Sequence, residues 1–164
     1  MTDALPACIE QAAHRYEVPA ALIRSVLDVE GGGYGVAARN RNGSEDLGWM
    51  QINTIWLPQL VQYGIDRRTL LTDPCINISV GAWILRFYAL REGEWTRAIR
   101  AYNTGSGERG QAYAYKVIVR WHAHAETGLL NATRITKSHV EIQGTPEQGR
   151  AADVPVPFAI IARQ

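Results

Sequence analysis

The 164-residue chain carries almost no net charge, and no block of like charges interrupts it. Its 17 basic and 16 acidic residues leave a formal charge of +1 at pH 7. Nucleic-acid binding depends on clustered contacts to several phosphates, which require a basic patch. Nucleic acid is therefore not an expected partner.

The sequence also lacks a long hydrophobic run. Its apolar stretches are far shorter than the roughly 20 residues that cross a bilayer, so we predict no membrane-spanning segment. Residues 1–7 include Asp3 and Pro6 and no basic residue. That is not the pattern of a secretory signal peptide, so no export signal is visible.

Cysteine is scarce, with Cys8 and Cys75 as its two occurrences. They are far apart and form no C-x-x-C pattern, so neither a redox motif nor a metal knuckle is indicated. One disulfide and two buried thiols both remain open. A bridge across a loop of about 66 residues would stabilise the fold by ~4 kcal/mol in the chain-entropy model, and it would suit an oxidising compartment such as a bacterial periplasm.

What the sequence does contain is a composition suited to one compact domain, with 46% hydrophobic and 20% charged residues. Apolar residues recur at helical spacing over most of the first 126 positions, which predicts a mainly α-helical body. Asp73 and Pro74 supply an N-cap and a first-turn proline for the helix that we expect to be central and buried. The predicted helices cover residues 7–18, 19–30, 74–87, 94–102 and 111–125.

Two segments depart from the helical pattern. Residues 36–51 contain the turn cluster Asn40, Asn42, Gly43 and Ser44, so we interpret them as a small antiparallel hairpin or an irregular loop. After residue 126 the periodicity is lost. We therefore divide the chain into a domain at 1–126 and a tail at 127–164, partly disordered or docking, in which residues 154–161 are apolar enough for a strand or a docked segment.

Glu30 closes the second predicted helix against three glycines, which can adopt positive φ and end it. A carboxyl group among apolar neighbours tends to have a raised pKa, because desolvation disfavours its charged form. Such a group can act as a general acid near neutral pH. Asp46 is in the next segment, and two carboxylates framing a glycine-rich turn suggest glycosidic-bond chemistry.

Three motifs in order carry a family resemblance: V-E-G-G at 29–32, G-W-M-Q-I-N at 48–53 and A-Y-N-T-G at 101–105. They resemble the motifs of the soluble lytic transglycosylase catalytic domain, over about residues 7 to 125. Within that family the chain is most similar to small invasion-associated and conjugation-associated transglycosylases that accompany bacterial secretion systems. The resemblance implies a lysozyme-like α+β fold, mainly helical, with a small β-hairpin beside the active-site cleft.

The same resemblance implies a role for each matching residue. Glu30 would be the catalytic acid that protonates the glycosidic oxygen between N-acetylmuramic acid and N-acetylglucosamine in peptidoglycan. Gln51 would line the glycan groove, and Tyr102 and Asn103 would form the floor of the site. Tyr113 matches a later tyrosine-containing helix motif. No metal and no organic cofactor is implied.

Residues 40–53 also resemble the hairpin of animal lysozymes, in which an aspartate at the position of Asp46 is a second catalytic carboxylate. Asn53 would then orient that carboxylate. The alternative is that Asp46 is an ordinary turn aspartate bonded to its own backbone. The chain also departs from the transglycosylase pattern at Gly31, where the family usually has serine, and we expect this change to tune the site without abolishing its activity.

Other side chains keep two interpretations. Gln51 and Asn103 are able to cap backbone groups as well as to contact a substrate. Trp49 and Trp56 are suited either to packing or to stacking on sugars. The tyrosines at 102 and 113 also fit a core role in which their hydroxyls are satisfied.

We therefore expect a lytic transglycosylase that cleaves the β-1,4 bond of peptidoglycan and leaves a 1,6-anhydro end. One alternative is a muramidase that hydrolyses the same bond with Glu30 and Asp46. Another is a non-catalytic peptidoglycan-binding scaffold that uses its tail for docking. The resemblance further implies a periplasmic monomer that serves a type III or type IV secretion, pilus or conjugation machine.

Overall fold

The computed structural model describes residues 5–103 and 108–136. Helices dominate, and a small sheet lies between the second and third of them. Two short 3-10 turns, Thr54–Trp56 and Val61–Tyr63, flank α3. The elements are α1 Leu5–Tyr16, α2 Ala20–Glu30, β1 Ala37–Arg39, β2 Glu45–Leu47, β3 Ile52–Asn53, α3 Leu57–Leu60, α4 Arg67–Thr72, α5 Pro74–Glu92, α6 Trp95–Tyr102 and α7 Glu108–Thr136.

The predicted central helix is confirmed as α5. The carboxylate of Asp73 accepts a hydrogen bond of 2.9 Å from the backbone N–H of Ile76, and Pro74 occupies the first turn, where a missing N–H costs no bond. Residues 77–85 are all buried, and α1, α4 and α6 pack around them. The mainly helical, lysozyme-like expectation therefore holds.

A disulfide joins Cys8 in α1 to Cys75 in the first turn of α5, with their Cα atoms 4.8 Å apart. The sequence left open one disulfide or two buried thiols, and the structure has the disulfide. The bridge fixes α1 against the central helix at the end that faces α4.

The sheet has three antiparallel strands in the order β1-β2-β3. Asp46 in the middle strand pairs with Ala38 on one side and with Asn53 on the other. The predicted hairpin at 36–51 is thus correct for β1 and β2 but omits β3. A two-residue strand is too short to produce an alternating pattern, so its pairing is a tertiary effect.

The last described helix, α7, is longer than the predicted 111–125. It packs on α2 and α6, and its residues 126–129 are exposed. An exposed helical segment carries no apolar stripe, so the helical spacing of apolar residues in the sequence ended before the helix does. The division at residue 126 stays a prediction, and the apolar segment at 154–161 lies outside the described residues. Among the described helices, none combines the length and the apolar character needed to cross a membrane.

Candidate active site

Glu30 is the last residue of α2, and glycines determine the path of the chain beyond it. Gly31 adopts φ +62°, and its N–H donates to the carbonyl of Leu27 at 3.0 Å, which ends the helix with a left-handed cap. Gly32 then passes so close to Gly48 that a Cβ atom on it would overlap the Gly48 carbonyl oxygen. The glycine run therefore brings the carboxyl-bearing end of α2 against the turn between β2 and β3.

A cleft opens where this helix end, the sheet and α6 meet. Six of the seven predicted site residues line it, and the seventh, Tyr113, reaches Glu30 from α7. The sequence motifs thus converge on one place. The lining residues are Glu30, Asp46, Gln51, Ile52, Asn53, Trp56, Ile84, Tyr102 and Asn103.

The environment of Glu30 favours its protonated form. Burial raises the pKa of Glu30 from an ordinary 4.5 to about 7, and the nearby negative charge of Asp46 acts in the same direction. The hydroxyl of Tyr113 donates to Oε1 of Glu30 at 2.6 Å and opposes the rise, because it stabilises the carboxylate. The protonated form of this carboxyl is therefore populated near neutral pH.

Two tyrosines near Glu30 are neutral and act as hydrogen-bond donors, Tyr113 to Glu30 itself and Tyr102 to the backbone. The hydroxyl of Tyr102 donates to the carbonyl of Met50 at 2.8 Å. Burial, followed by the charge of Glu30, raises the pKa of Tyr102 and of Tyr113 above the usual range. Both hydroxyls therefore keep their protons at any physiological pH, and Tyr113 remains a hydrogen-bond donor to Glu30.

Asp46 is held by two asparagine side chains. The amide of Asn53 donates to Oδ1 at 2.6 Å, and the amide of Asn40 donates to Oδ2 at 3.0 Å. Both carboxylate oxygens are engaged, so the side chain has a fixed orientation toward the cleft that it lines. The resemblance indicated Asn53 as a partner. Asn40 was not predicted in this role, and its place in the turn cluster was the only signal.

Gln51 has the unusual backbone φ of +49° for a residue other than glycine. Its side-chain amide donates to the Gly48 carbonyl at 2.7 Å while the residue lines the cleft. The capping interpretation and the lining position therefore both hold. Positive φ at such a residue costs about 1–3 kcal/mol, and strain of this kind concentrates at functional sites.

Of the two tryptophans left open by the sequence, Trp56 belongs to the cleft. Its ring packs edge-on against Trp83, Phe87 and Tyr88 of α5, with centroids 5.4, 5.7 and 6.1 Å away. Packing fixes the ring while the residue lines the cleft. Trp49 instead lines a separate groove of about 430 Å³ beside α1 and α2.

Sequence reasoning missed Asn77, which is fully buried in α5. Its Oδ1 accepts the N–H of Met50 at 2.8 Å, and its Nδ2 donates to the carbonyls of Leu47 and Leu70, each at 2.9 Å. These bonds hold the β2–β3 turn on the central helix. Nothing in the sequence distinguishes this asparagine from a surface residue, because only the tertiary fold buries it.

Comparison with known proteins adds an independent finding. Residues 7–118 match the model of the family described as the transglycosylase SLT domain. Protein IpgF of Shigella sonnei is 31% identical over 103 residues, which are 62% of this chain and 68% of that protein. Invasion protein IagB of Salmonella typhimurium (strain SL1344) is 36% identical over 103 residues, 62% of this chain and 64% of that protein. A peptidoglycan-binding-like protein of Escherichia coli O157:H7 is 32% identical over 131 residues, which are 73% of this chain and 78% of that protein.

Proposed function

The chain belongs to the transglycosylase SLT domain family, and we propose that it is a lytic transglycosylase acting on peptidoglycan. The bond cleaved is the β-1,4 linkage between N-acetylmuramic acid and N-acetylglucosamine. The observation that carries the proposal is the carboxyl group of Glu30, which lines the cleft with a pKa near 7. A group with that pKa is able to give up a proton and take it back at neutral pH.

The proposed reaction uses this carboxyl twice. Protonated Glu30 donates its proton to the glycosidic oxygen as the bond from that oxygen to C1 of the muramoyl residue breaks. The resulting carboxylate then takes the proton of the muramoyl C6 hydroxyl, whose oxygen closes on C1. The products are a free 4-hydroxyl on the released sugar and a 1,6-anhydro ring, and Glu30 ends protonated as it began.

The surrounding side chains support the charge changes in that sequence. The Tyr113 hydroxyl, at 2.6 Å from Oε1, stabilises Glu30 during the interval in which it is a carboxylate. Asp46, held by its two asparagines, presents a negative charge to the cleft where the oxocarbenium-like transition state develops positive charge at C1. We assign Gln51, Asn53, Tyr102 and Asn103 to the binding of the glycan and the support of its walls.

A muramidase is the second candidate, and the fixed orientation of Asp46 favours it. In that reaction water, rather than the C6 hydroxyl, attacks C1, with Asp46 as nucleophile or as electrostatic support. Asp46→Asn separates the transglycosylase from a muramidase that uses Asp46 as nucleophile, because it keeps the shape of the side chain and removes its charge. A transglycosylase should retain its anhydro products at a rate lowered by about 10- to 100-fold. A muramidase that uses Asp46 as nucleophile should lose turnover by more than about 1000-fold.

The direct test is digestion of purified sacculi, with the released muropeptides weighed by mass spectrometry. We expect ends that lack one water relative to hydrolysed ends. Hydrated ends would overturn the transglycosylase proposal in favour of the muramidase. Binding to sacculi without any released product would indicate a non-catalytic scaffold.

We further propose that the protein works outside the cytoplasm, as a periplasmic monomer that opens the wall locally for a secretion, pilus or conjugation apparatus. The substrate lies in that compartment, and the Cys8–Cys75 bridge fits an oxidising environment. The similarity to an invasion protein supports the link to such a machine. Replacing the gene by its Glu30→Gln form should reduce secretion or conjugation, and unchanged transfer would contradict this part of the proposal.

A further inference from the structure

We propose that Asn77, which lies outside the cleft, is a positioning residue that holds the turn between β2 and β3 and thereby sets the placement of the groups around Glu30. The inference rests on the proposed function, because the site that it concerns is the candidate active site. Asn77 is one of three buried polar or charged residues among the described part of the chain, and its side chain makes three hydrogen bonds.

Two of the three hydrogen bonds of Asn77 end at residues adjacent to those that line the cleft, and the third ends at Leu70 in α4. Leu47, whose carbonyl accepts from Nδ2, directly follows Asp46. Met50, whose N–H donates to Oδ1, directly precedes Gln51. One side chain in α5 therefore fixes the backbone on both sides of the turn that presents these two groups.

The turn held by Asn77 also contacts two other parts of the site, Tyr102 and the segment after Glu30. The carbonyl of Met50, whose N–H is held by Asn77, accepts the hydroxyl of Tyr102. Inside the turn, the Gly48 carbonyl faces Gly32, two residues beyond Glu30. A shift of the turn would therefore move Tyr102 and loosen the contact that encloses the acid.

The site fits asparagine specifically. It offers one N–H and two carbonyls, and an asparagine amide supplies one acceptor oxygen and two donor hydrogens. Gly48 completes the fit, because a Cβ atom there would overlap the side-chain nitrogen of Asn77 and the carbonyl of Leu70. Loss of the amide would leave three buried backbone groups without this partner. Because an unpaired buried polar group is costly, the turn would shift so that these groups can bond to water.

The experiment compares Asn77→Ala and Asn77→Ser with Leu85→Ala, a core substitution in the same helix at a residue that does not line the cleft. The serine variant is smaller but polar, so it serves if the alanine variant does not fold. Two quantities are measured for each folded variant: the rate of muropeptide release at limiting substrate, and the pKa of Glu30 by NMR titration of its carboxyl carbon.

We expect both Asn77 variants to release muropeptides at least about tenfold more slowly than Leu85→Ala, since small displacements of catalytic groups are costly. We also expect the pKa of Glu30 to fall toward its ordinary value as water reaches the loosened site. Rates within twofold of Leu85→Ala and an unchanged pKa of Glu30 would overturn the inference. If the wild type releases nothing, the proposed function fails, while the pKa comparison still decides whether Asn77 positions the site.

Discussion

At the scale of single residues, the candidate site depends on a balance at Glu30. Burial among cleft residues raises its pKa, and the hydrogen bond from Tyr113 lowers it, with a net value of about 7. A carboxyl group whose protonated and ionised forms are both accessible near neutral pH is suited to donate a proton and then to recover one. The same balance has a cost in stability, because the ionised form is held in a partly desolvated place.

The first prediction arises from that cost. Glu30→Gln should be more stable than the wild type at pH 8 and equally stable at pH 4. The folded-state pKa of Glu30 is raised, so its favourable contribution is complete below 4.5 and is lost as the pH rises through about 7. The two pKa values differ by an amount equivalent to about 3 kcal/mol, which is the expected gain at pH 8. Urea unfolding at both pH values measures it, and a gain independent of pH would contradict it.

The second prediction concerns Tyr113→Phe. Without the hydroxyl, the carboxylate of Glu30 loses a donor, so the pKa of Glu30 should rise above its present value. Since the acid must be protonated to act, the fall in activity at high pH should move to higher pH, and the maximal rate should drop roughly tenfold through poorer orientation. A pH profile of muropeptide release tests this. Tyr115→Phe is the matched control, because that tyrosine is 71% exposed on the same helix, and a shift to lower pH in Tyr113→Phe would refute the account.

At the scale of elements, the site is built by one close approach, that of the segment after α2 to the β2–β3 turn. Gly32 allows it because a side chain there would overlap the Gly48 carbonyl. Gly33, the next residue, has free space, since the nearest atom to a Cβ on it would be a methyl of Val36 at 3.9 Å. Two neighbouring glycines thus differ sharply in what they tolerate.

The third prediction uses that difference. Gly32→Ala should force α2 and the turn apart, with a loss of about 1–3 kcal/mol in the free energy of unfolding and about 100-fold in activity. Gly33→Ala should change neither by a measurable amount. Thermal unfolding and muropeptide release measure both variants. Equal behaviour of the two would mean that the approach of these elements does not matter for the site.

Much of this element structure was predictable from the sequence, for physical reasons that are local. Asp73 and Pro74 predicted the start of α5 because capping and a fixed φ act within one turn. The glycines after Glu30 predicted the end of α2 in the same way. The two-residue strand β3 and the burial of Asn77 were missed, since each depends on a partner far along the chain.

At the scale of the whole molecule, the site is assembled from four parts of the fold, namely α2, α7, the sheet and α6. Glu30 and Tyr113 come from α2 and α7, which pack on each other, while Asp46 comes from the sheet and Tyr102 from α6. The disulfide holds α1 to the start of α5. The arrangement therefore needs the global fold, and the bridge strengthens that fold without contributing a group to the cleft.

The fourth prediction is that reduction of the Cys8–Cys75 bridge lowers the free energy of unfolding by about 4 kcal/mol in the chain-entropy model. Activity of the molecules that stay folded should change by less than about twofold, since neither cysteine lines the cleft. Urea unfolding with and without reductant measures the effect. The double variant Cys8→Ser, Cys75→Ser is the control and should not respond to reductant. Alkylation of the free thiols shows that the bridge has been reduced. An unchanged free energy of unfolding in protein reduced in this way would contradict the prediction.

The account as a whole depends on proton transfer by one carboxyl group, and the release of anhydro-muropeptides from sacculi tests it most directly. Wild type, Glu30→Gln and Glu10→Gln should be compared at equal concentrations of folded protein, with Glu10 as an exposed glutamate away from the cleft. We predict that Glu30→Gln releases these products at least about 100-fold more slowly than wild type, while Glu10→Gln matches it. Wild-type rates of anhydro product from folded Glu30→Gln would contradict the central claim.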